Sequence, residues 1–304
     1  MTPEENAPLI SIITPAYNRG KFIGDAIESV IHQNYPFFEH IIVDDGSTDN
    51  TRELVRQYQK REPRIFYYYQ ENQGQSAARN NALARSKGVF VCFLDSDDYW
   101  LPGKIEESLA VFDKHPEFDV VYGDCFTVNE YGEIISRRNI KRYSGRIAAT
   151  LLRDNFISMS TTMVRRRCFD EMGGMSSKRK VADDYDLWLR FASKYLFYYL
   201  PEYLACYRIS KNQISSDTPR RFKVNEEIIL AFLEEYPEAV PWKEAKINLS
   251  RFYARKARFF SRAGDKRTAW NAIFNAFKYA PSSMLVWRGV FRVIYPQRNF
   301  KLSG

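Results

Sequence analysis

Hydrophobic and polar positions switch between two periods over the first hundred residues. "LISIIT" (9–14) is a continuous apolar run of strand length, closed by Pro15. Ile23, Ala26, Ile27, Val30 and Ile31 then recur at the spacing of a helix with one buried face. "HIIVDD" (40–45) predicts a second strand. "GSTDNT" supplies a glycine turn with Asp49 as helix cap, and Leu54, Val55 and Tyr58 mark the helix that follows. "RIFYYYQ" (64–70) predicts a third strand, "SAARNNALARSK" (76–87) a third helix stopped by Gly88, and "VFVCFLD" a fourth strand. This βαβαβαβ order implies an α/β fold, with a mostly parallel sheet covered by helices on both faces.

From 119 the rhythm changes. "DVVYGD", "TTMVRR" and "YLACYRIS" predict strands, with "DDYDLWLRFASK" as a helix between the last two. Beyond about 219 only helical periods remain. One stripe is Leu249, Phe252, Tyr253, Ala257 and Phe260; a second is Trp270, Ile273, Phe274 and Phe277; a third is Trp287, Val290, Phe291 and Ile294. The expected organisation is an α/β domain over 1–218 and a helical appendage over 219–304.

Ligands of such sheets bind at the carboxyl ends of the strands. Polar clusters fall there three times: "TPAYN" after the first strand, "DDGSTD" after the second, "DSDD" after the fourth. The last cluster puts Asp95, Asp97 and Asp98 within four residues. Two carboxylates about 4 Å apart repel by about 1 kcal/mol in water and about 4 kcal/mol in a protein-like medium. A divalent cation is the leading candidate to offset that cost.

Composition narrows the classes. The chain has 304 residues, 45% of them hydrophobic, enough for a large core. No apolar run approaches the roughly 18–20 residues that span a membrane, and "MTPEENAPLI" lacks the basic and apolar regions of a signal peptide. Cys92, Cys125, Cys168 and Cys206 lie dozens of residues apart, which suggests reduced thiols in a cytoplasmic protein. The net charge of +8 is uneven: residues 243–304 carry 14 Lys and Arg against two acids, leaving the rest at −4. Such a tail suits nucleic acid, a charged glycan or an anionic membrane surface.

Five motifs in order, "SIITPAYNR", "IIVDDGSTDNT", "NQGQSAARNNAL", "FLDSDDYW" and "DDYDLWLR", resemble glycosyltransferase family 2 over roughly residues 9–210. The resemblance implies the GT-A fold and an inverting transfer of one sugar from a nucleoside-diphosphate sugar to a hydroxyl of a glycan or lipid-linked glycan. It implies a Mn²⁺ or Mg²⁺ cofactor on the D-x-D element. Asp97 is then the metal ligand, Asp95 sits on the ribose or beside the metal with Ser96 at the nucleotide, and Asp98 stands behind. Pro15, Ala16, Tyr17 and Asn18 would line the base, with Tyr17 against its ring; an aromatic face stacks on a base for about 1–3 kcal/mol. Asp45 would accept from the base. A carboxylate accepts and cannot donate, which suits the N–H of uracil, thymine or guanine. Arg79 would lie near the diphosphate or the D-x-D carboxylates.

By the same resemblance Asp184 is the general base that takes the acceptor's proton. Asp183 replaces the family's Glu and, with Asp186 and Trp188, is expected on the acceptor side. Where many relatives carry a His, this chain has Ser210 and Lys211. His32, His40 and His115 lie outside the motifs and are expected at the surface. The Q-x-x-R-W signature of processive synthases is absent, so one sugar per encounter is expected. Two other classes compete: a sugar nucleotidyltransferase, which wants a Gly-rich basic loop that "TPAYNRGKF" does not supply, and a non-catalytic binding protein docked through its helical tail. No nucleic-acid partner is expected. A peripheral position on the inner membrane face is expected as an option of the basic tail.

Overall fold

The computed structural model describes residues 7–137, 140–176, 182–209 and 218–282, with residues 284, 287, 288 and 290. Its strands are β1 (Ile10–Ala16), β2 (Phe38–Asp45), β3 (Ile65–Gln70), β4 (Phe90–Phe93), β5 (Tyr99–Trp100), β6 (Val120–Val128), β7 (Ile134–Arg137), β8 (Met163–Arg165) and β9 (Phe197–Arg208). Its helices are α1 (Ile23–Ile31), α2 (Thr51–Arg61), α3 (Gln75–Arg85), α4 (Lys104–Lys114), α5 (Ala148–Leu151), α6 (Arg167–Met172), α7 (Asp183–Ala192), α8 (Thr218–Glu235), α9 (Trp242–Arg262) and α10 (Lys266–Tyr279).

Among the described residues the strands form one sheet in the order β3-β2-β1-β4-β8-β6-β9-β5, with β7 paired to β6. The first four strands are parallel, and β8 enters antiparallel to both β4 and β6. β1 and β2 are buried almost throughout because helices cover both faces of a parallel sheet. The chain order reverses at β1, which has β2 on one side and β4 on the other. A crevice opens at such a reversal, beyond the strands' carboxyl ends. Register sets what meets there: Ala16 lies beside Asp44, and Ile13 beside Phe93.

The helical faces follow their periods. Ile23, Ala26, Ile27 and Val30 of α1 are all buried, the two Ile and the Val each contributing about 1.5–3 kcal/mol by leaving water. Val55 of α2 is buried, and Leu54 and Tyr58 pack against the same cluster. His40 departs from its expected surface position. It is enclosed on β2, its Nε2 2.9 Å from the Thr14 hydroxyl on β1, and burial pushes its pKa down to about 3. His32 is exposed, whereas His115 is half-buried with its ring stacked on Tyr198.

The chain divides into two compact units. One is Met1–Arg146 with Phe156–Ser216; the other is Ile147–Asn155 with Asp217–Gly304. The helical unit therefore takes up a short segment that the sequence reading assigned to the first domain. The reason is packing: α5 lies against α9, and Asp154 pairs with Arg255. Leu249, Phe252, Tyr253 and Ala257 of α9 are buried as their stripe predicts. α10 follows its stripe only in part, with Ile273 buried and Phe277 half-buried. It turns Ala269, Ala272, Ile273 and Ala276 inward and leaves Trp270 and Phe274 outside. Small alanines let α9 and α10 approach closely, and that outweighs burying the larger rings. Phe291 and Ile294 of the third stripe lie outside the described residues.

Candidate functional site

The polar ends of β1, β2 and β4 meet at the reversal point, and α7 brings its first turn to them. Arg79, in α3, joins the pieces. Its guanidinium donates to Asp183 Oδ2 at 2.7 Å and to Asp95 Oδ1 at 2.6 Å. One buried cation thus ties the D-x-D loop to the start of α7. Burial opposes its charge, but Asp183 and Asp95 outweigh that and raise its pKa. The rigid planar fork of Arg holds its two acceptors in a fixed geometry, which the rotatable ammonium of a Lys does not impose.

Each carboxylate of "DSDD" has its own protein contact. Asp95 has Arg79. Asp97 has Arg19 Nε at 3.6 Å. Asp98 is buried, accepts from Ser160 Oγ at 2.6 Å and from the Arg208 amide at 3.0 Å. Burial first, then the charges of Asp97 and Asp95, hold Asp98 well above the ordinary carboxylate range. Much of the like-charge cost read from the sequence is offset by arginines and by desolvation that disfavours a third negative charge.

The structure adds two residues that pattern reasoning missed. Arg208, at the end of β9, is buried; its Nε donates to the Asp97 carbonyl at 2.9 Å, and its other nitrogens reach the Glu130 carbonyl and Asp25. Ser160 receives the Asp95 amide at 3.2 Å, and its carbonyl accepts from Trp100 Nε1 at 2.7 Å. Together they fix the loop that carries Asp95 and Asp97. Neither lies in a recognisable motif. The only signal for Arg208 is a cation at the end of an apolar strand.

The base-side segment is mixed. Tyr17 is 47% exposed, so its ring face is available. Asn18 takes a left-handed backbone, φ 52°, and its side chain receives the Thr48 amide at 2.8 Å. Pro15 is half-buried, while Ala16 and Ser96 are buried, so the Ala16 side chain belongs to the core. Asp45 is 3% exposed and accepts from Gln70 Nε2 and the amides of Gln73 and Gly74 at 2.7–2.8 Å. Gly74 has φ 91°, which a side chain would strain, and that turn is what aims its amide at Asp45. Three of about four acceptor sites of Asp45 are thus in use. Asp49 binds the Thr51 and Gly20 amides, so it supports α2 from one position outside the Asn50 cap.

α7 begins after Ala182, whose φ of 56° is the other positive value among described non-Gly residues. Local strain of this kind clusters at functional sites. Asp184 follows within electrostatic reach of Arg79. Two of the residues expected on the acceptor side are enclosed by protein. Asp183 is 1% exposed, with Arg79, Ser76 and Gln75 on its oxygens, and has no face left for an acceptor. Trp188 is fully buried between Phe191 and Phe197, the sixth residue of a helix whose inner side is core. Asp186 pairs with Arg190 at 3.0 Å, and Arg190 in turn holds the Met172 and Gly174 carbonyls. Ser210 and Lys211 lie outside the described residues.

For a metal, the fit is with Asp95 and Asp97. Among the described residues no three His, Cys, Asp or Glu side chains gather into a closed nest. Two hard-oxygen ligands are what Mg²⁺ takes from a protein when phosphates supply the rest.

Comparisons with known proteins identify the family and the fold. Residues 11–173 match the model of Glycosyl transferase family 2. The putative teichuronic acid biosynthesis glycosyltransferase TuaG of Bacillus subtilis is 36% identical over 219 residues, 69% of this chain and 82% of that protein. An uncharacterized glycosyltransferase of Rickettsia felis is 31% identical over 240 residues, 79% of this chain but 39% of its own length. S. aureus TarS in complex with UDP-GlcNAc superposes with a TM-score of 0.68 at 22% identity, covering 90% of this chain and 81% of that one. A mannosyltransferase of Pyrobaculum calidifontis, in complex with GDP-Man and Mn²⁺, gives 0.59 at 19% identity, with 95% and 81% covered. At these identities the solved structures speak for the fold.

Proposed function

Because the chain belongs to glycosyl transferase family 2, we propose that it is an inverting enzyme that moves one sugar from a nucleoside-diphosphate sugar to a hydroxyl of a glycan or lipid-linked glycan. The observation that carries this reading is Arg79, which holds the D-x-D loop and the first turn of α7 against each other. A donor diphosphate at Asp95 and Asp97 would then lie beside Asp184.

In this mechanism Tyr17 stacks on the base and the remaining acceptor site of Asp45 reads a base N–H. Asp97, with Asp95 beside it, would hold Mn²⁺ or Mg²⁺. Bound there, the ion would neutralise charge on the leaving diphosphate. The acceptor oxygen forms its bond to the donor's anomeric carbon from the face opposite the diphosphate. Its proton passes to the Asp184 carboxylate, and the carbon–oxygen bond to the diphosphate breaks with its electrons on the leaving group. Asp186 borders this face. The acceptor, the sugar and a peripheral position at the inner membrane face belong to the same proposal.

The test is a panel of UDP-, GDP- and dTDP-sugars with Mn²⁺, reading nucleoside diphosphate release and product configuration. Asp184→Asn should keep donor binding and lower transfer by about 10²–10⁴-fold, the usual contribution of a general base. Transfer near the wild-type rate would remove Asp184 from that role, and a retained anomeric configuration would overturn the inverting assignment. Release of pyrophosphate from a nucleoside triphosphate and a sugar phosphate would favour a nucleotidyltransferase instead.

A further inference from the structure

The outward face of α10 has a composition that ordinary solvent contact does not explain. Arg267, Trp270, Phe274 and Lys278 follow one another at helical spacing and are all exposed, while Ala269, Ala272, Ile273 and Ala276 face inward. Phe274 is 73% exposed and Trp270 45%. The row continues past the helix. Phe277 meets the Trp287 ring edge to face at 5.0 Å, and Trp287, itself 59% exposed, donates to the Pro281 carbonyl at 3.2 Å. Arg288 is exposed beside it. Asp265, which caps α10 through the Thr268 amide, is the last acidic residue of the chain; seven Lys and Arg follow it.

We propose that this face, Arg267, Trp270, Phe274 and Lys278 extended by Trp287 and Arg288, docks the protein on an anionic lipid surface. The charge selects the partner. A second copy would bring the same excess of cations against this one and be repelled. A soluble polyanion would satisfy the cations but offers no apolar phase for Phe274, which has nothing to hydrogen-bond. An anionic bilayer supplies both, with headgroups for the cations and the acyl boundary for aromatic rings. No described helix is long and apolar enough to cross a membrane, so the contact is interfacial. This docking face deepens the membrane position of the proposed function and draws on no property of the catalytic unit.

The experiment is co-sedimentation of the full-length protein with phosphatidylcholine vesicles, with and without about one third phosphatidylglycerol. The wild type should pellet with the anionic vesicles and stay in solution with the neutral ones. Neutralising Arg267 and Lys278 with Gln should lower partitioning about twenty-five-fold, at about fivefold for each cation. Trp270→Ser with Phe274→Ser should lower it at least about tenfold while leaving Tm unchanged. The proposal falls if the wild type does not pellet at low salt, if neutral vesicles bind it equally, or if the Ser pair leaves partitioning intact, which would mark a polyanion site. A dimer in sedimentation velocity that the Ser pair abolishes overturns it in favour of a second copy. A lowered Tm in the Ser pair overturns it in favour of a face covered by the chain's own terminus.

Discussion

Replacing Arg79 by Met removes the cation at the centre of the site and keeps most of its volume. Its two partners then differ in what they lose. The Asp95 side chain retains 29% exposure, so water replaces part of the lost bond. Asp183 stays buried, with Ser76 and Gln75 still donating but no counter-charge. Removing one partner of a buried ion pair costs about 3–5 kcal/mol, far more than the net worth of the intact pair. Each 1 kcal/mol shifts Tm by about 2–4 °C in a domain of 150–250 residues, so the variant should melt about 6–20 °C lower. Asp183→Asn in the same background removes the stranded charge and should return at least about 2 kcal/mol. Urea unfolding of wild type, both single variants and the double variant gives the coupling directly. Effects that add within about 0.5 kcal/mol would refute the pairing, because contacting charges do not act independently. A second readout below all transitions separates stability from function: Arg79→Met should weaken calorimetric binding of UDP with Mn²⁺, since Asp95 has lost its anchor.

Asp97→Asn should keep its Tm and lose the metal-dependent part of nucleoside diphosphate binding; unchanged calorimetric affinity with Mn²⁺ would exclude Asp97 as the ligand. Arg208→Met strips donors from the Asp97 and Glu130 carbonyls and should raise the dissociation constant for UDP with Mn²⁺ about tenfold, one buried charge-assisted bond being about 1.5–3 kcal/mol; an unchanged constant would make Arg208 a purely structural residue. His40 predicts a pH dependence. Its folded pKa of about 3 lies below the ordinary 6.5, so the unfolded chain binds the extra proton between those values. The stability from neutral His40 is fully present above pH 6.5 and is lost as pH falls toward 3. At pH 5 the loss is about 2 kcal/mol, at about 1.36 kcal/mol per pH unit. His40→Asn should flatten the stability curve over that window relative to wild type, and parallel curves would show that His40 titrates normally.

The parallel half of the sheet and the meeting of its polar strand ends were legible in the chain alone. β1, β2 and β4 have apolar centres, α1 and α2 keep their periods, and the polar clusters stand at strand ends; all of these are local properties. Tertiary structure decided which residues are spent on what. His40 looks like a surface residue until β1 and α-helical cover enclose it. Asp183 and Asp184 are neighbours of identical type, yet the first is consumed by Arg79, more than a hundred residues away in sequence. Arg208 became part of the site only because β9 ends behind the D-x-D loop. α10 carries two overlapping apolar stripes one position apart, and periodicity does not choose between them. The choice came from α9, against which alanines allow a closer approach than Trp270 and Phe274 would. Periodicity is fixed by backbone geometry within a few turns; burial, charge partners and the use of each carboxylate depend on which distant segment arrives beside it.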